Sequence, residues 1–79
     1  MMRILVVEDD ARICADITAA LEANHYVVDC VRDGEGAWFK GDTEDYAAVI
    51  LDLGLPQMDG MSVLKRWRAN SRDFPVLVL

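Results

Sequence analysis

Val49-Ile50-Leu51-Asp52-Leu53-Gly54-Leu55-Pro56-Gln57-Met58-Asp59-Gly60 is the stretch on which the fold of this 79-residue chain turns. It is an apolar run that ends on one carboxylate, followed by a loop rich in Gly, Pro and Asp. A continuous apolar run bounded by turn residues reads as a strand buried on both faces. Asp52 then stands at the carboxyl end of that strand. In open α/β sheets, ligands bind in the crevice outside the carboxyl ends of strands.

Working outward, residues 46–51 form the third strand of the chain. Asp59 caps a helix opening at Gly60, with Val63, Leu64 and Trp67 facing inward and basic residues outside. Asn70-Ser71-Arg72-Asp73 is an exit loop, and residues 74–79 form a fourth strand. Toward the amino terminus, Arg3-Ile4-Leu5-Val6-Val7 is a first buried strand that ends in Glu8-Asp9-Asp10. From Ala11 the period changes. Ile13, Ile17, Ala20 and Leu21 fall on one helix face, with Asp9 or Asp10 as N-cap. That helix is expected to end near Asn24-His25 on a residue with positive φ, which Asn and His tolerate better than most.

Residues 26–31 read as a second strand at a sheet edge, because Asp29 must reach water. Asp33-Gly34 is a turn signal. Residues 35–40 make a short helix that Gly36 weakens; Trp38 and Phe39 in it are expected to pack in the core, and residues 41–45 form a polar loop. The order is β-α-β-α-β-α-β, which implies an α/β fold with a parallel sheet. If strands one and three are neighbours, Glu8-Asp9-Asp10 and Asp52 converge at one end of it.

Composition narrows the function. Eight basic against fourteen acidic residues give a net charge of −6, and the one basic cluster, Lys65, Arg66, Arg68 and Arg72, reads as a solvated helix face. Direct nucleic-acid binding is therefore not expected. Cys14 and Cys30 lie in periodic apolar segments without CxxC spacing and read as buried free thiols, favouring a reducing, cytoplasmic location. The longest apolar runs fall far short of the ~18 residues of a membrane span. Met1-Met2-Arg3 runs through one short apolar strand into an acidic cluster, unlike a signal peptide. A chain of this length buries only about 60% of its unfolded surface, yet 53% of its residues are hydrophobic.

Carboxylates gathered in one crevice repel each other unless a cation compensates. Mg2+ takes oxygen ligands and keeps several waters. Two or three carboxylates plus a backbone carbonyl, such as that of Gly54, would satisfy it. A carboxylate beside such a metal can also attack phosphorus and form an acyl phosphate.

Ile4-Leu5-Val6-Val7-Glu8-Asp9-Asp10, Asp33-Gly34 and the opening stretch from Val49 to Gly60 together resemble the receiver domain of two-component response regulators. The similarity is greatest to the OmpR/PhoB-like subgroup, whose receivers precede winged-helix DNA-binding domains. The resemblance covers nearly the whole chain and implies a flavodoxin-like, CheY-like fold with strand order 2-1-3-4-5. It implies Asp52 as phospho-acceptor and Glu8, Asp9, Asp52 and the Gly54 carbonyl as Mg2+ ligands, with a phosphohistidine on a sensor kinase as donor. Asp10 would serve as a cap. Pro56 and Gly60 would shape the loop before the third helix.

Measured against that pattern, residues 1–79 correspond to the N-terminal part of a receiver, lacking its last α-β-α portion and any effector domain. The family's Ser or Thr after the fourth strand and the Lys ending the fifth have no counterpart: Thr18, Thr43, Lys40 and Lys65 lie elsewhere. His25 stands where Gly is usual. The expectation is a phospho-accepting domain rather than an enzyme, impaired in phosphotransfer, which regulates transcription as part of a longer protein. An exposed fourth-strand edge and an uncovered sheet face would favour self-association. The alternative function is a self-associating assembly module without phosphotransfer. An aspartate-nucleophile phosphatase is disfavoured, because those enzymes usually carry a second Asp at the position of Gly54.

Overall fold

The computed structural model describes residues 2–56 and 58–79; Gln57, in the loop between Asp52 and Asp59, lies outside them. Strands and helices alternate: β1 (Arg3–Val7), α1 (Ala11–Ala23), β2 (Val27–Val31), α2 (Gly34–Thr43), β3 (Ala48–Leu51), α3 (Gly60–Ala69) and β4 (Val76–Val78). The strands form one parallel sheet in the order β2-β1-β3-β4. Strands one and three are thus neighbours, as the convergence of the acidic clusters required.

The pleat of β1 divides the core. Ile4 and Val6 point to one face, where Cys14, Ile17 and Leu21 of α1 meet them together with Val28 and Ile50. Leu5 and Val7 point to the other, where Val49 and Leu51 of β3 pack against Val63 and Trp67 of α3 and Ala37 of α2. Leu5, Val6 and Val7 are wholly buried, which is why β1 reads as an unbroken apolar run rather than an alternating one.

Several local expectations need correction. The inner face of α1 runs through Cys14, Ile17 and Leu21, while Ile13 and Ala20 are exposed. The first turn is rotated by about one residue from the face the hydrophobic spacing suggested. Helix α2 runs on through Thr43, so Gly41, Asp42 and Thr43 are helical rather than a loop. Gly41 belongs there because α2 and α3 touch at this point: a Cβ on it would lie 2.3 Å from the Trp67 indole nitrogen. Trp38 packs against the core as expected, but Phe39 is 60% exposed. The strand ends contract too, since Tyr46 and Ala47 precede β3, and Phe74 and Pro75 precede β4.

Helix α1 ends at His25 with φ 69°. The following amide, Tyr26 N–H, turns back to the Leu21 carbonyl at 3.2 Å. Helix α3 ends the same way at Ser71, φ 60°, with Arg72 N–H donating to the Trp67 carbonyl at 2.8 Å. Both are left-handed C-terminal caps; only the first was legible in the sequence.

Asp29, on edge strand β2, does not simply face water. Arg3 Nη2 donates to its Oδ2 at 2.6 Å and the Tyr46 hydroxyl at 2.7 Å. The Tyr46 hydrogen bond, then Arg3, holds its carboxyl below the usual range.

The two cysteines are not free. Cys14 and Cys30 form a disulfide, with Cα atoms 6.6 Å apart. Cys30 lies two residues along β2 from Val28, on the face that α1 covers, so the packing of α1 brings Cys14 onto it. The argument from free thiols to a reducing location falls with that reading.

Candidate metal centre

The acidic centre is assembled by strand pairing. Where β1 ends, the Glu8 amide donates to the Val31 carbonyl of β2 at 3.0 Å. Where β3 ends, the Asp52 amide donates to the Val7 carbonyl of β1, also at 3.0 Å. These bonds continue the ladder one residue past the strands and set Glu8, Asp9 and Asp52 side by side. One ligand atom from each lies within 4.8 Å of the others.

The three carboxyls have unequal surroundings. Glu8 is 5% exposed and Asp52 half-buried, while Asp9 faces solvent. The hydrogen bond to Asp52, with burial and the charges of Asp52 and Asp9 behind it, pushes the Glu8 carboxyl up from 4.5 to about 7. The same bond, joined by the Gly54 amide donating to Asp52 Oδ1 at 3.0 Å, holds Asp52 below the usual carboxylate range. The two carboxyls are thereby set apart, Glu8 the more readily protonated and Asp52 the more readily ionised.

The neighbouring loops are shaped to this centre. Asp10 stands outside it: its Oδ1 caps α1, accepting from the Arg12 amide at 2.9 Å and the Ile13 amide at 3.2 Å. Asp59 caps α3 by accepting from the Ser62 amide at 3.0 Å. The start of α3 lies so near the end of β3 that a Cβ on Gly60 would approach the Asp52 carbonyl oxygen to 2.7 Å.

Arg32 was missed in the sequence. It follows β2 directly and its guanidinium reaches the Asp9 carbonyl, Nη2 at 3.3 Å and Nε at 3.4 Å. The available signal was its position: a basic residue at a strand's carboxyl end, on the same sheet edge as the acids. A cavity of about 200 Å³ between Asp45, Tyr46 and residues 71–74 lies at the opposite end of β3 and β4, away from the carboxylates.

Three carboxylates around one point are a hard-oxygen donor set, which suits a divalent cation such as Mg2+. The raised pKa of Glu8 marks uncompensated negative charge that a cation would relieve. The residues present thus fit a metal. Thr18 and Thr43 lie elsewhere: the Thr18 hydroxyl is buried without a partner, and Thr43 donates to the Phe39 carbonyl. Lys40 pairs with Glu44 at 3.0 Å.

Comparison with known proteins places this geometry. The family model for the response regulator receiver domain matches residues 4–79. Protein RcaC of Microchaete diplosiphon is 46% identical over 78 residues, covering 99% of this chain and 12% of that protein. The transcriptional regulatory protein QseB of Haemophilus influenzae is 42% identical, covering 99% of this chain and 35% of QseB. The chain thus spans 12% and 35% of these relatives' lengths. Among solved structures, a Francisella response regulator receiver domain superposes with a TM-score of 0.94 at 31% identity, covering 99% of this chain and 64% of that one. The Thermotoga maritima response regulator TrrA, in complex with Mg2+ and beryllofluoride, superposes with a TM-score of 0.92 at 32% identity, covering 99% and 68%. TrrA has also been solved in complex with the histidine kinase ThkA, with a TM-score of 0.90 over 99% of this chain and 67% of that one. Among the described residues, no helix is long and apolar enough to cross a membrane.

Proposed function

This chain belongs to the response regulator receiver domain family, and on that premise we propose that it accepts a phosphoryl group on Asp52 from a sensor histidine kinase, with Mg2+ as cofactor. Glu8, Asp9, Asp52 and the Gly54 carbonyl would hold the metal, whose charge would offset that of the phosphoryl oxygens. An Asp52 carboxylate oxygen attacks phosphorus, the donor's N–P bond breaks, and the freed imidazole takes up a proton. The observation that carries this reading is the meeting of Glu8, Asp9 and Asp52 within 4.8 Å at the ends of neighbouring strands. Asp52 suits the attacking role because it is the acid held deprotonated.

The domain acts as a phospho-accepting signal element rather than an enzyme, in a cytoplasmic transcription regulator of which these residues form part. Its net charge of −6 favours contact with protein over nucleic acid.

Incubation with a small acyl phosphate and Mg2+, read by intact mass, tests this reading. Mg2+-dependent gain of one phosphoryl group by the wild type and none by Asp52→Asn supports it. Equal labelling of both chains, or none of either after long incubation, contradicts it.

A second reading, self-association without phosphotransfer, is favoured by β4. Leu77, Val78 and Leu79 are 62%, 42% and 57% exposed along a sheet edge. An exposed apolar edge strand is a template for pairing with another chain. Sedimentation at tens of micromolar separates the outcomes: a dimer or larger species supports the edge as an interface, and a monodisperse monomer removes it.

A further inference from the structure

We propose that Cys14 and Cys30 form a reversible, redox-responsive staple that fastens the start of α1 to edge strand β2. Both side chains lie on one face of the sheet, one on the helix and one on the strand beneath it, with Cα atoms 6.6 Å apart. That separation falls within the range a disulfide spans. The two residues differ in exposure: Cys14 is 4% exposed, whereas Cys30 lies exposed on the outermost strand. An accessible thiol beside a buried partner is the arrangement that exchange with a small-molecule disulfide requires.

In the closing reaction the Cys30 thiolate attacks one sulfur of such a disulfide. The small molecule's S–S bond breaks and one small thiolate leaves. Cys14, having released its proton to water, then attacks the Cys30 sulfur and expels the second small thiolate. The chain has lost two electrons and two protons, and the small disulfide has gained them as two thiols. Excess small thiol runs the same steps backward.

The staple acts close to the acidic loop. The Cys14 amide donates to the Asp10 carbonyl at 2.9 Å, in the first turn of α1. Glu8 and Asp9 immediately precede that turn. Oxidation therefore anchors the helix start behind the acidic pair, and reduction leaves it held by packing and the Asp10 cap alone. The inference does not depend on the role assigned to Asp52.

Equilibrating the folded 79-residue chain in glutathione buffers from reducing to oxidising, then trapping thiols with a maleimide and reading intact mass, tests the proposal. The expected result is that both thiols close together within one chain, that the bond reopens in the reducing buffers without denaturant, and that amides in the first turn of α1 exchange more slowly when it is closed. Cys14→Ser is expected to carry one glutathione on Cys30, and Cys30→Ser to leave Cys14 unmodified while folded. Thiols that stay open in the most oxidising buffer, closure only between chains, a bond that resists the reducing buffers, or exchange in α1 indifferent to closure would each overturn it.

Discussion

Glu8 and Asp52 meet across the ends of β1 and β3, and their contact drives their pKa values apart, Glu8 upward and Asp52 downward. Neighbouring carboxyls that hold one proton between them form a site poised to exchange that proton for a metal cation.

The first prediction is a pH dependence of stability without metal. The folded-state value of Glu8 is raised from 4.5 to about 7. Between those limits the folded chain keeps a proton that the unfolded chain has released. The contribution is full below the lower limit and is lost as pH rises through about 7. Urea midpoints should fall over that window. Glu8→Gln, which keeps the hydrogen bond to Asp52 and cannot ionise, should flatten the fall. Asp29 and Asp59, held low by their partners, contribute with the opposite sign and at more acid pH.

Gly41→Ala should destabilise the fold by about 1–3 kcal/mol through overpacking. The new methyl would meet the wholly buried indole of Trp67, and neither α2 nor α3 can retreat without opening the core between them. Urea unfolding, compared with an alanine substitution at exposed Asn70, measures the cost.

His25→Gly should stabilise by about 0.5–1 kcal/mol. A non-glycine residue in the left-handed region costs roughly 1–2 kcal/mol, part of which glycine returns through its freer unfolded chain. The readout is the thermal midpoint. No change would mean that His25 meets φ 69° without strain.

Asp59→Ala should cost about 1 kcal/mol by removing the N-cap of α3. Its carboxylate accepts from both the amide and the hydroxyl of Ser62, at 3.0 and 3.1 Å. Asp59→Asn, which keeps an acceptor oxygen, should recover most of the loss.

The features legible in the sequence were those that neighbours along the chain determine. Asp52 closes an apolar run, Asp10 and Asp59 stand one residue before helices, and His25 ends a periodic segment. The alternation of strands and helices carried the parallel sheet, and with it the meeting of Glu8 and Asp9 with Asp52. Features set by contact between distant segments were not legible. Gly41 reads as the start of a polar loop until Trp67 occupies the space a side chain would need. Cys14 and Cys30 have no spacing that pairs them; only the packing of α1 does. Arg32 drew no reading from the sequence, and its bond to the Asp9 carbonyl exists only because β2 lies beside β1. Phe39 looked like core because it is aromatic, yet the helix turns it outward beside half-buried Trp38.

The most direct test of the central claim, that Glu8, Asp9 and Asp52 form one divalent-cation centre, is titration of Mg2+ into the metal-free chain followed by backbone amide shifts. The account predicts saturable binding of one ion per chain, with the largest shifts at Glu8, Asp9, Asp52 and Gly54. Affinity should rise with pH through about 7 as Glu8 gives up its proton, and Asp52→Asn should weaken binding strongly. Shifts that scatter over the acidic surface without saturating, or that are unchanged in Asp52→Asn, would contradict it.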